Sequence, residues 1–478
     1  MNKLKLFTEN FIIYGLGGVI SKIIPLIMVP IVTRIMPTSD YFGISDLNGT
    51  IVSFACALTI MGMFDAMFRM FFDNDEESHK KIVCSTTLAF TLTTSTVIFL
   101  LMLIFREPIA EFFFSDKKYE YVVFLSATAT LVSSTNAIIA APTRMQNKRS
   151  VFLIVNTVSP ILSYAIAVPL LFKGYYVIAL PLSGVVSGIT VEIAFGLMNR
   201  KWFDLKLFDI KLLKELLIFA IPLAPNILIY WLFNSCDKVM ITNMIGIGAA
   251  GVYSVGSKLG HASQLIYTAF SGGWQYFAFS TMNEENQVDS NSRVFEYLGV
   301  ISFVATAFIC AWSFSIYKFL FPIQYLSGYI VAPYIFLAPL LQMLFQVIAN
   351  QFLVIKKTWP SMLILLSGAV FNVVINFFMI PVLGIEGAAL ATLFGYIVTD
   401  IICVIVLCNM KLLVVSRRFI ASVMLMAGFF LIWRCLFSRM ILVSTLMAVL
   451  YMVVEIGLYK GDLRLLIDRA VHGSSDEK

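Results

Sequence analysis

Long runs of apolar residues, separated by short polar turns, fill the chain from end to end. A bilayer core of about 30 Å needs roughly twenty apolar residues per helix, so each run is long enough to span it. None of the runs alternates apolar and polar residues, which is the pattern of a membrane β-strand. The pattern therefore predicts an all-α polytopic membrane protein. Its fourteen predicted transmembrane helices lie near 9–34, 42–70, 82–105, 119–141, 151–172, 175–198, 216–242, 248–281, 294–317, 330–355, 359–382, 386–409, 419–437 and 440–459.

Composition agrees with this class and excludes others. The chain of 478 residues is 59% hydrophobic and only 13% charged, whereas soluble domains carry about 25% charged residues. Its seven cysteines lie singly in or beside apolar runs, which predicts small packing residues rather than disulfides. Three histidines without ligand spacing exclude a histidine-based metal site, and no cofactor is predicted beyond possible coupling to H⁺ or Na⁺.

Lysine and arginine are distributed unevenly between the two sides of the predicted bundle. With the N-terminus inside, 23 of the 34 basic residues fall in cytoplasmic segments. Cytoplasmic loops of membrane proteins carry this excess, so both termini are predicted to be cytoplasmic. The first apolar segment continues to Ile35, too long for the apolar part of a signal peptide, which predicts an uncleaved first span.

Two stretches share one pattern, an apolar run followed by a short turn and a glycine-containing apolar restart. They are "IVTRIMPTSDYFG" at 31–43 and "ITNMIGIGAAGVYS" at 241–254. Three matched pairs lie 208 or 210 residues apart: Gly43 with Gly251, Glu192 with Asp400, and Gly174 with Gly384. This offset predicts two copies of a six-helix unit, and an even helix number makes the repeat parallel, about an axis along the membrane normal.

The repeat predicts four parts. They are an N-terminal six-helix bundle (1–198), a cytoplasmic amphipathic linker (199–215), a C-terminal six-helix bundle (216–409), and a two-helix hairpin with a cytoplasmic tail (410–478). Repeats of this kind place a substrate site between the halves, near the membrane midplane.

Ionisable residues within the predicted spans concentrate in the two leading helices of each repeat. Each costs at least about 2.5 kcal/mol at the bilayer centre, so such side chains usually face a cavity or each other. The deep ones are more basic than acidic, which suits an anionic substrate. The candidates for substrate binding are Lys22, Arg34, Arg69, Asn226, Lys238, Lys258 and His261. The candidates for charge pairing or ion coupling are Asp65, Asp237, Glu192 and Asp400.

Structural roles compete with these functional ones. Arg34, Arg69 and Lys238 can extend to a membrane surface, and the i,i+4 spacing of Asp65 and Arg69 is also that of an ion pair within one helix. Lys258 lies about ten residues into its helix, roughly 15 Å deep, which favours a polar cavity.

Three acids also have alternative roles. Asp237, in the adjacent helix, is the competing structural partner of Lys258. Glu192 and Asp400 suit either proton exchange or hydrogen bonding between helices.

Two segments carry a resemblance to the Wzx-type O-antigen and polysaccharide flippases of the multidrug/oligosaccharidyl-lipid/polysaccharide (MOP) superfamily. They are "NFIIYGLGGVISKIIPLIMVPIVTRIMPTSDYFGISDL" at 10–47 and "FAIPLAPNILIYWLFNSCDKVMITNMIGIGAAGVYSVGSKL" at 219–259. In the second, an aspartate followed by a base precedes a G-x-Y-S restart. The turn "MPTSDYFG" departs from the Gly-Pro turn that is more frequent in such proteins.

The resemblance implies a transporter, not an enzyme. It would flip undecaprenyl-pyrophosphate-linked oligosaccharide, such as O-antigen or capsule units, across a bacterial cytoplasmic membrane by alternating access coupled to H⁺ or Na⁺. Its implied partners are the lipid-linked oligosaccharide, membrane lipids and other polysaccharide assembly proteins, with no nucleic acid.

Three alternatives stay open. A lipid II flippase also has fourteen helices and a basic cavity. A multidrug/cation antiporter of the same superfamily typically has twelve helices and few cavity bases. An O-antigen polymerase typically carries a large outer loop, whereas no predicted outer loop here exceeds about fifteen residues.

Overall fold

The computed structural model describes residues 22–280, 286–357 and 359–464, and these contain helices and no strand. The first helix, α1, is described over 22–35. The others are α2 Ser39–Ile60, α3 Met63–Phe71, α4 Glu77–Ile104, α5 Arg106–Phe114, α6 Glu120–Met145, α7 Arg149–Phe172, α8 Ala179–Asn199, α9 Ile210–Ala220, α10 Ala224–Met244, α11 Ile247–Gly260, α12 Gln264–Ser280, α13 Gln287–Leu320, α14 Val331–Val354, α15 Trp359–Leu383, α16 Ile385–Asn409, α17 Arg417–Ile432 and α18 Ile441–Leu458.

Twelve helical segments of the described chain are long and apolar enough to cross a membrane. The predicted class, an all-α polytopic membrane protein, is thereby confirmed. Of the other two predicted spans, half of the first lies outside the described residues. The eighth, 248–281, is divided by a 3₁₀ turn at His261–Ser263 into α11 and α12. The count of fourteen spans therefore stays a prediction.

Two differences between the helix boundaries and the predictions have a visible local cause. The predicted second helix, 42–70, is interrupted where Met61 and Gly62 adopt positive φ angles of 48° and 78°. The Met61 amide donates to the Ala57 carbonyl and ends α2 there. Helix seven begins at Ile210 rather than near residue 216, because Asp209 caps α9 by accepting from the backbone amide of Lys211 at 2.7 Å.

The chain divides into two compact units. Unit 1 comprises residues 1–255 and 369–391, and unit 2 comprises 256–368 and 392–478. These units are not the predicted bundles, whose boundaries at 198, 216 and 409 stay a prediction.

In unit 1, α6 contacts α2, α4, α7 and α8. Small polar side chains join these helices: Ser126 donates to Asn48 Oδ1 of α2 at 2.7 Å, and the Thr59 and Ser134 hydroxyls lie 2.5 Å apart. Such hydrogen bonds hold membrane helices together where lipid provides no hydrophobic drive for association.

The linker and α9 pack on the end of α4 in unit 1. The backbone amides of Asp204 and Asp209 donate to the hydroxyls of Ser85 and Thr86, at 2.9 and 3.1 Å. The buried face of α9 joins an apolar cluster with α3, α4 and α6; its linker and α9 members are Trp202, Leu212, Leu216 and Ala220. The linker is thus a fixed part of unit 1.

In unit 2, α14 is buried along most of its length and packs on α12 and α13. The terminal helices α17 and α18 pack on α13. Glu296 of α13 binds the start of α17, accepting from the Ser416 amide at 2.7 Å and its hydroxyl at 2.8 Å. Burial and the neighbouring Glu296 raise the pKa of Tyr459, just after α18, to about 12. Its hydroxyl therefore stays protonated.

Candidate functional site

Helices α2 and α11 cross at backbone contact in unit 1. A Cβ added to Gly43 would lie 2.5 Å from the Ile247 carbonyl oxygen and 3.1 Å from the Gly251 nitrogen. A Cβ added to Gly251 would overlap the carbonyl oxygen of Ser39. Only glycine at both positions permits this approach, as at other close crossings of membrane helices.

An ion pair lies one turn along α2 from the glycine contact. Lys238 Nζ of α10 and Asp46 Oδ2 of α2 lie 2.8 Å apart, with side chains 16% and 8% exposed. The same carboxylate oxygen accepts from Ser254 Oγ of α11 at 2.8 Å. Asp46 thereby joins α2, α10 and α11.

A second carboxylate lies beside this pair. Asp237 is buried, and its Oδ2 accepts from the Tyr253 hydroxyl of α11. Its Oδ1 accepts from the Lys238 backbone amide at 2.8 Å. Asp46, Asp237, Lys238, Tyr253 and Ser254 form what we call the charged cluster.

The crossing brings together residues that the predicted repeat matches with each other. Asp46 and Ser254 are 208 residues apart in the sequence and hydrogen-bonded. Gly43 and Gly251, also 208 apart, are in backbone contact. Residues related by a two-fold axis can touch only near that axis, so this is the arrangement that an axis between α2 and α11 would produce.

Helix α11 carries a second glycine face in unit 2. A Cβ added to Gly256 would lie 2.8 Å from the carbonyl oxygen of Gly328, in the 3₁₀ segment before α14, and one added to Gly260 would lie 2.8 Å from that of Ala332, in the first turn of α14. Lys258 lies midway between these glycines, so at about 100° per residue it points away from their face. It continues the side that carries Ser254, one turn earlier, and is half-buried.

His261 follows at the 3₁₀ turn between α11 and α12. It is half-buried, and its Nδ1 lies 2.7 Å from the Ser257 carbonyl oxygen. If that nitrogen carries the proton, it donates to the carbonyl and leaves Nε2 as the acceptor.

The two acids matched by the repeat have different surroundings. Glu192 of α8 accepts from the Thr135 hydroxyl of α6 at 2.6 Å. Both carboxyl oxygens of Asp400 in α16 are buried and lack a hydrogen-bond partner among the described residues. A buried carboxylate without hydrogen bonds costs several kcal/mol, so Asp400 is the acid whose ionisation the surroundings support least.

The i,i+4 spacing leaves an ion pair of Asp65 with Arg69 open as one alternative, and the structure shows a different partner for Arg69. Arg69 pairs instead with Asp73, in the polar segment after α3, and both side chains are about half exposed. Because α3 ends at Phe71, Arg69 reaches this acidic segment more readily than it reaches back along the helix. Asp65 is itself exposed, on the same short helix.

The remaining candidates are on α1 and α10. Lys22 is the first described residue and is exposed; Arg34 is exposed at the end of α1. Asn226 is half-buried in the first turn of α10. Of the eleven predicted residues, Lys238 and Asp237 are members of the charged cluster as defined above.

Sequence reasoning missed Asp46 and Tyr253. A signal was present, since applying the 208-residue offset to Asp46 gives Ser254, its hydrogen-bond partner. Tyr253 could be found only from the structure, because an aromatic residue in an apolar run carries no distinguishing pattern. No group of three or more His, Cys, Asp or Glu side chains within 22–280, 286–357 and 359–464 is arranged to hold a metal ion.

The sequence matches the model of one protein family over residues 7–283, more than half of the chain, and that family is described as "Polysaccharide biosynthesis protein". The chain belongs to the polysaccharide biosynthesis protein family. No curated protein sequence matches it.

Solved structures show the fold of this polysaccharide biosynthesis protein. One is "Lipid II flippase MurJ, inward closed conformation", with a TM-score of 0.72 at 14% identity, covering 95% of this chain and 99% of that one. An outward-facing multidrug resistance MATE transporter of the MOP superfamily gives 0.61 at 14% identity, covering 85% and 95%. A MOP superfamily transporter from Pyrococcus furiosus gives 0.60 at 14%, with the same coverage. This polysaccharide biosynthesis protein has the MOP transporter fold.

Proposed function

We propose that this protein is a flippase for a polyprenyl-pyrophosphate-linked oligosaccharide, and not an enzyme. It moves the headgroup across the bacterial cytoplasmic membrane by alternating access, with both termini in the cytoplasm. Membership of the polysaccharide biosynthesis family and the fold shared with flippases and transporters support a lipid-linked substrate.

The observation that carries the proposal is a pair of lysines held inside membrane helices. Lys238 is 16% exposed in α10, and Lys258 is half-buried in α11. Buried cations at membrane depth are expensive and usually mark a pathway for charged groups. A pyrophosphate and an acidic glycan are the anions that such lysines would bind.

The charged cluster suits a switching element. Asp46 holds α2 to both α10 and α11 through one carboxylate oxygen. An anion that reached Lys238 would compete with Asp46 for its ammonium group and weaken this connection. Substrate binding would then be linked to separation of α2 from α11. Lys22, Arg34, Asn226 and His261 are the other residues proposed to bind the substrate.

Coupling to H⁺ or Na⁺ is proposed for the membrane acids Asp237, Glu192 and Asp400. Asp400 is the strongest of these, because its carboxyl oxygens lack protein hydrogen bonds among the described residues. A proton on Asp400 removes the charge that its surroundings do not stabilise, and release to water requires the site to open.

A lipid II flippase is the second candidate. It is favoured by the superposition on MurJ, which covers 95% of this chain against 85% for the outward-facing MATE transporter. Both candidates move a polyprenyl pyrophosphate, and they differ in the attached sugars. Expression in two strains, one lacking its O-antigen flippase and one depleted of its lipid II flippase, distinguishes them by which strain regains its surface glycan or its growth.

Substitution of Lys258 tests the proposed function. We expect Lys258→Ala to abolish glycan export at normal membrane abundance, and Lys258→Arg to retain part of it by keeping the charge. Lys173→Ala is the matched control, since Lys173 is exposed after α7 and should be dispensable. Export by Lys258→Ala at the wild-type level would contradict the proposal.

A further inference from the structure

An apolar groove runs along one side of the linker helix α9 and the 3₁₀ turn that follows it. Its volume is about 500 Å³, and one of its lining residues is charged. The residues lining this groove are Ile210, Leu213, Lys214, Leu217, Ile218, Ile221 and Pro222. They recur at helical spacings of three and four, so they form a continuous stripe.

The groove lies where the helix leaves the membrane core. Residues 210–244 form one candidate span of 35 residues, about 52 Å long at 1.5 Å per residue, against a hydrocarbon core of about 30 Å. The surplus of about 22 Å places one end of the span among lipid headgroups. The polar and basic linker precedes α9, so α9 is that end.

Apolar side chains in the groove remain exposed in this position. Ile210 and Ile218 are each 65% exposed, and Ile221 is 51% exposed. The opposite face of α9, with Leu212, Leu216 and Ala220, is buried in the apolar cluster of unit 1. The groove is therefore preformed, because packing on its other side fixes the helix.

Charge indicates which lipid the groove fits. Both Lys214 and Pro222 line the groove, and Pro222 is at the end nearer the membrane core. The two residues are eight positions apart, which is about 12 Å along the helix. Residues 199–215 carry five basic and three acidic side chains, so the surrounding surface is also positive. Lysines at a membrane surface attract anionic lipids, each contributing about 1 kcal/mol.

We propose that this groove binds one anionic glycerophospholipid of the adjacent leaflet. Its phosphate contacts Lys214, and one acyl chain lies along Leu217, Ile218 and Ile221 toward the membrane core. This site is separate from the flippase pathway and does not depend on the proposed substrate. Because α9 leads directly into α10, which carries Lys238, the lipid would anchor the helix that holds half of the Asp46 ion pair.

Native mass spectrometry of the full-length protein tests this site. Delipidated protein is titrated with phosphatidylglycerol and with phosphatidylcholine of the same acyl chains. We expect a tightest phosphatidylglycerol site with about fivefold weaker binding in Lys214→Ala, restored in Lys214→Arg. Ile218→Ser should weaken both lipids, because it removes apolar contact from the acyl chain.

Lys211→Ala is the matched control. Lys211 is exposed on the same helix but does not line the groove, so its removal should leave the tightest site unchanged. Equal losses in Lys211→Ala and Lys214→Ala would overturn the proposal in favour of diffuse surface attraction. A second control is a variant that lacks residues 2–8. If the preference for phosphatidylglycerol appears only in that variant, the groove is occupied by the chain's own N-terminal segment, and the lipid proposal is overturned.

Discussion

Asp46 and Lys238 show how a residue that is costly in lipid becomes stable inside a helix bundle. The two charges lie 2.8 Å apart, and Ser254 supplies a further hydrogen bond to the carboxylate. Removing both members of such a pair is usually mild, whereas removing one leaves an uncompensated buried charge. The pair therefore ties the stability of α2 to that of α10.

A double-mutant cycle tests this coupling. We expect Lys238→Met and Asp46→Asn each to destabilise the protein, the first by about 3–5 kcal/mol because it strands a buried carboxylate. The double variant should regain most of that loss. Melting temperatures of the purified protein in detergent measure the effect.

The exposed pair Arg293–Asp289 provides the control for this cycle. Both side chains are about 60% exposed, so removing either should change stability by less than about 1 kcal/mol. A double variant of Asp46 and Lys238 no more stable than its worse single variant would contradict the coupling.

Substitution of Asp400 tests the proposed ion coupling. Asp400→Asn keeps the shape of a protonated carboxyl but cannot release a proton, so we expect a folded protein without gradient-driven glycan export. Proteoliposomes with and without a proton gradient measure this. If Asp400 only fills space or bonds between helices, Asp400→Asn will export normally. Thr399→Ser, at the adjacent buried position, is the control.

Among the helices, α11 is unusual because it carries two pairs of closely packed glycines, each against a different helix. Gly248 and Gly251 approach α2 in unit 1, and Gly256 and Gly260 approach the start of α14 in unit 2. A bulky residue at Gly251 would separate the backbones of α2 and α11, and the polar groups of the charged cluster would then move apart. Close backbone approach is thus a condition for the buried ion pair.

Gly251→Ala tests the crossing. The added methyl overlaps the Ser39 carbonyl oxygen, and such overpacking typically costs about 1–3 kcal/mol. We expect a lower melting temperature and weaker export. Gly49→Ala is the matched control in α2, since its Cβ would meet no atom within 4 Å. Equal melting temperatures for the two variants would show that the crossing is loose.

The apolar pattern predicted most elements, and its errors have specific causes. Periodicity cannot detect the end of α2, because Met61 is itself apolar and the pattern carries no sign of its positive φ angle. The short helix α5 was not predicted, since its charged first turn resembles a loop. Charge spacing along one helix could not identify Asp73 as the partner of Arg69, because Asp73 lies beyond the end of that helix.

The architecture of the whole molecule can be divided in two ways. Contacts divide it into units 1 and 2, whereas the sequence offset predicts two six-helix repeats. The offset could locate the glycine contact and the Asp46–Ser254 pair, but it could not locate Lys238, which lies on a third helix. We expect residues 9–198 to superpose on 216–409 after a rotation of roughly 180°. An experimental structure would measure this rotation. If the two segments superposed only after a different rotation, or did not superpose, the repeat would be refuted.

Membrane orientation can be tested by cysteine labelling of intact cells. Ile323 is 88% exposed after α13 and is predicted to face outside, whereas Lys206 is exposed in the linker and predicted to face the cytoplasm. We expect an impermeant maleimide to label Ile323→Cys and not Lys206→Cys. The background must lack native cysteines, because Cys435 is exposed. The reverse labelling would invert the topology.

The hydrogen bond between Asp46 and Ser254 bears on how such a chain could have evolved. In a symmetric dimer of separate six-helix subunits, a residue on the axis meets a copy of itself. An aspartate there would face a second aspartate, and two carboxylates so close resist being ionised together. Gene fusion frees positions 46 and 254 to mutate independently, so one can remain an acid while the other becomes its hydroxyl donor. The predicted duplication therefore permits a buried ion pair at this position. In an ancestral homodimer, the same aspartate would have had a second, repelling aspartate beside it.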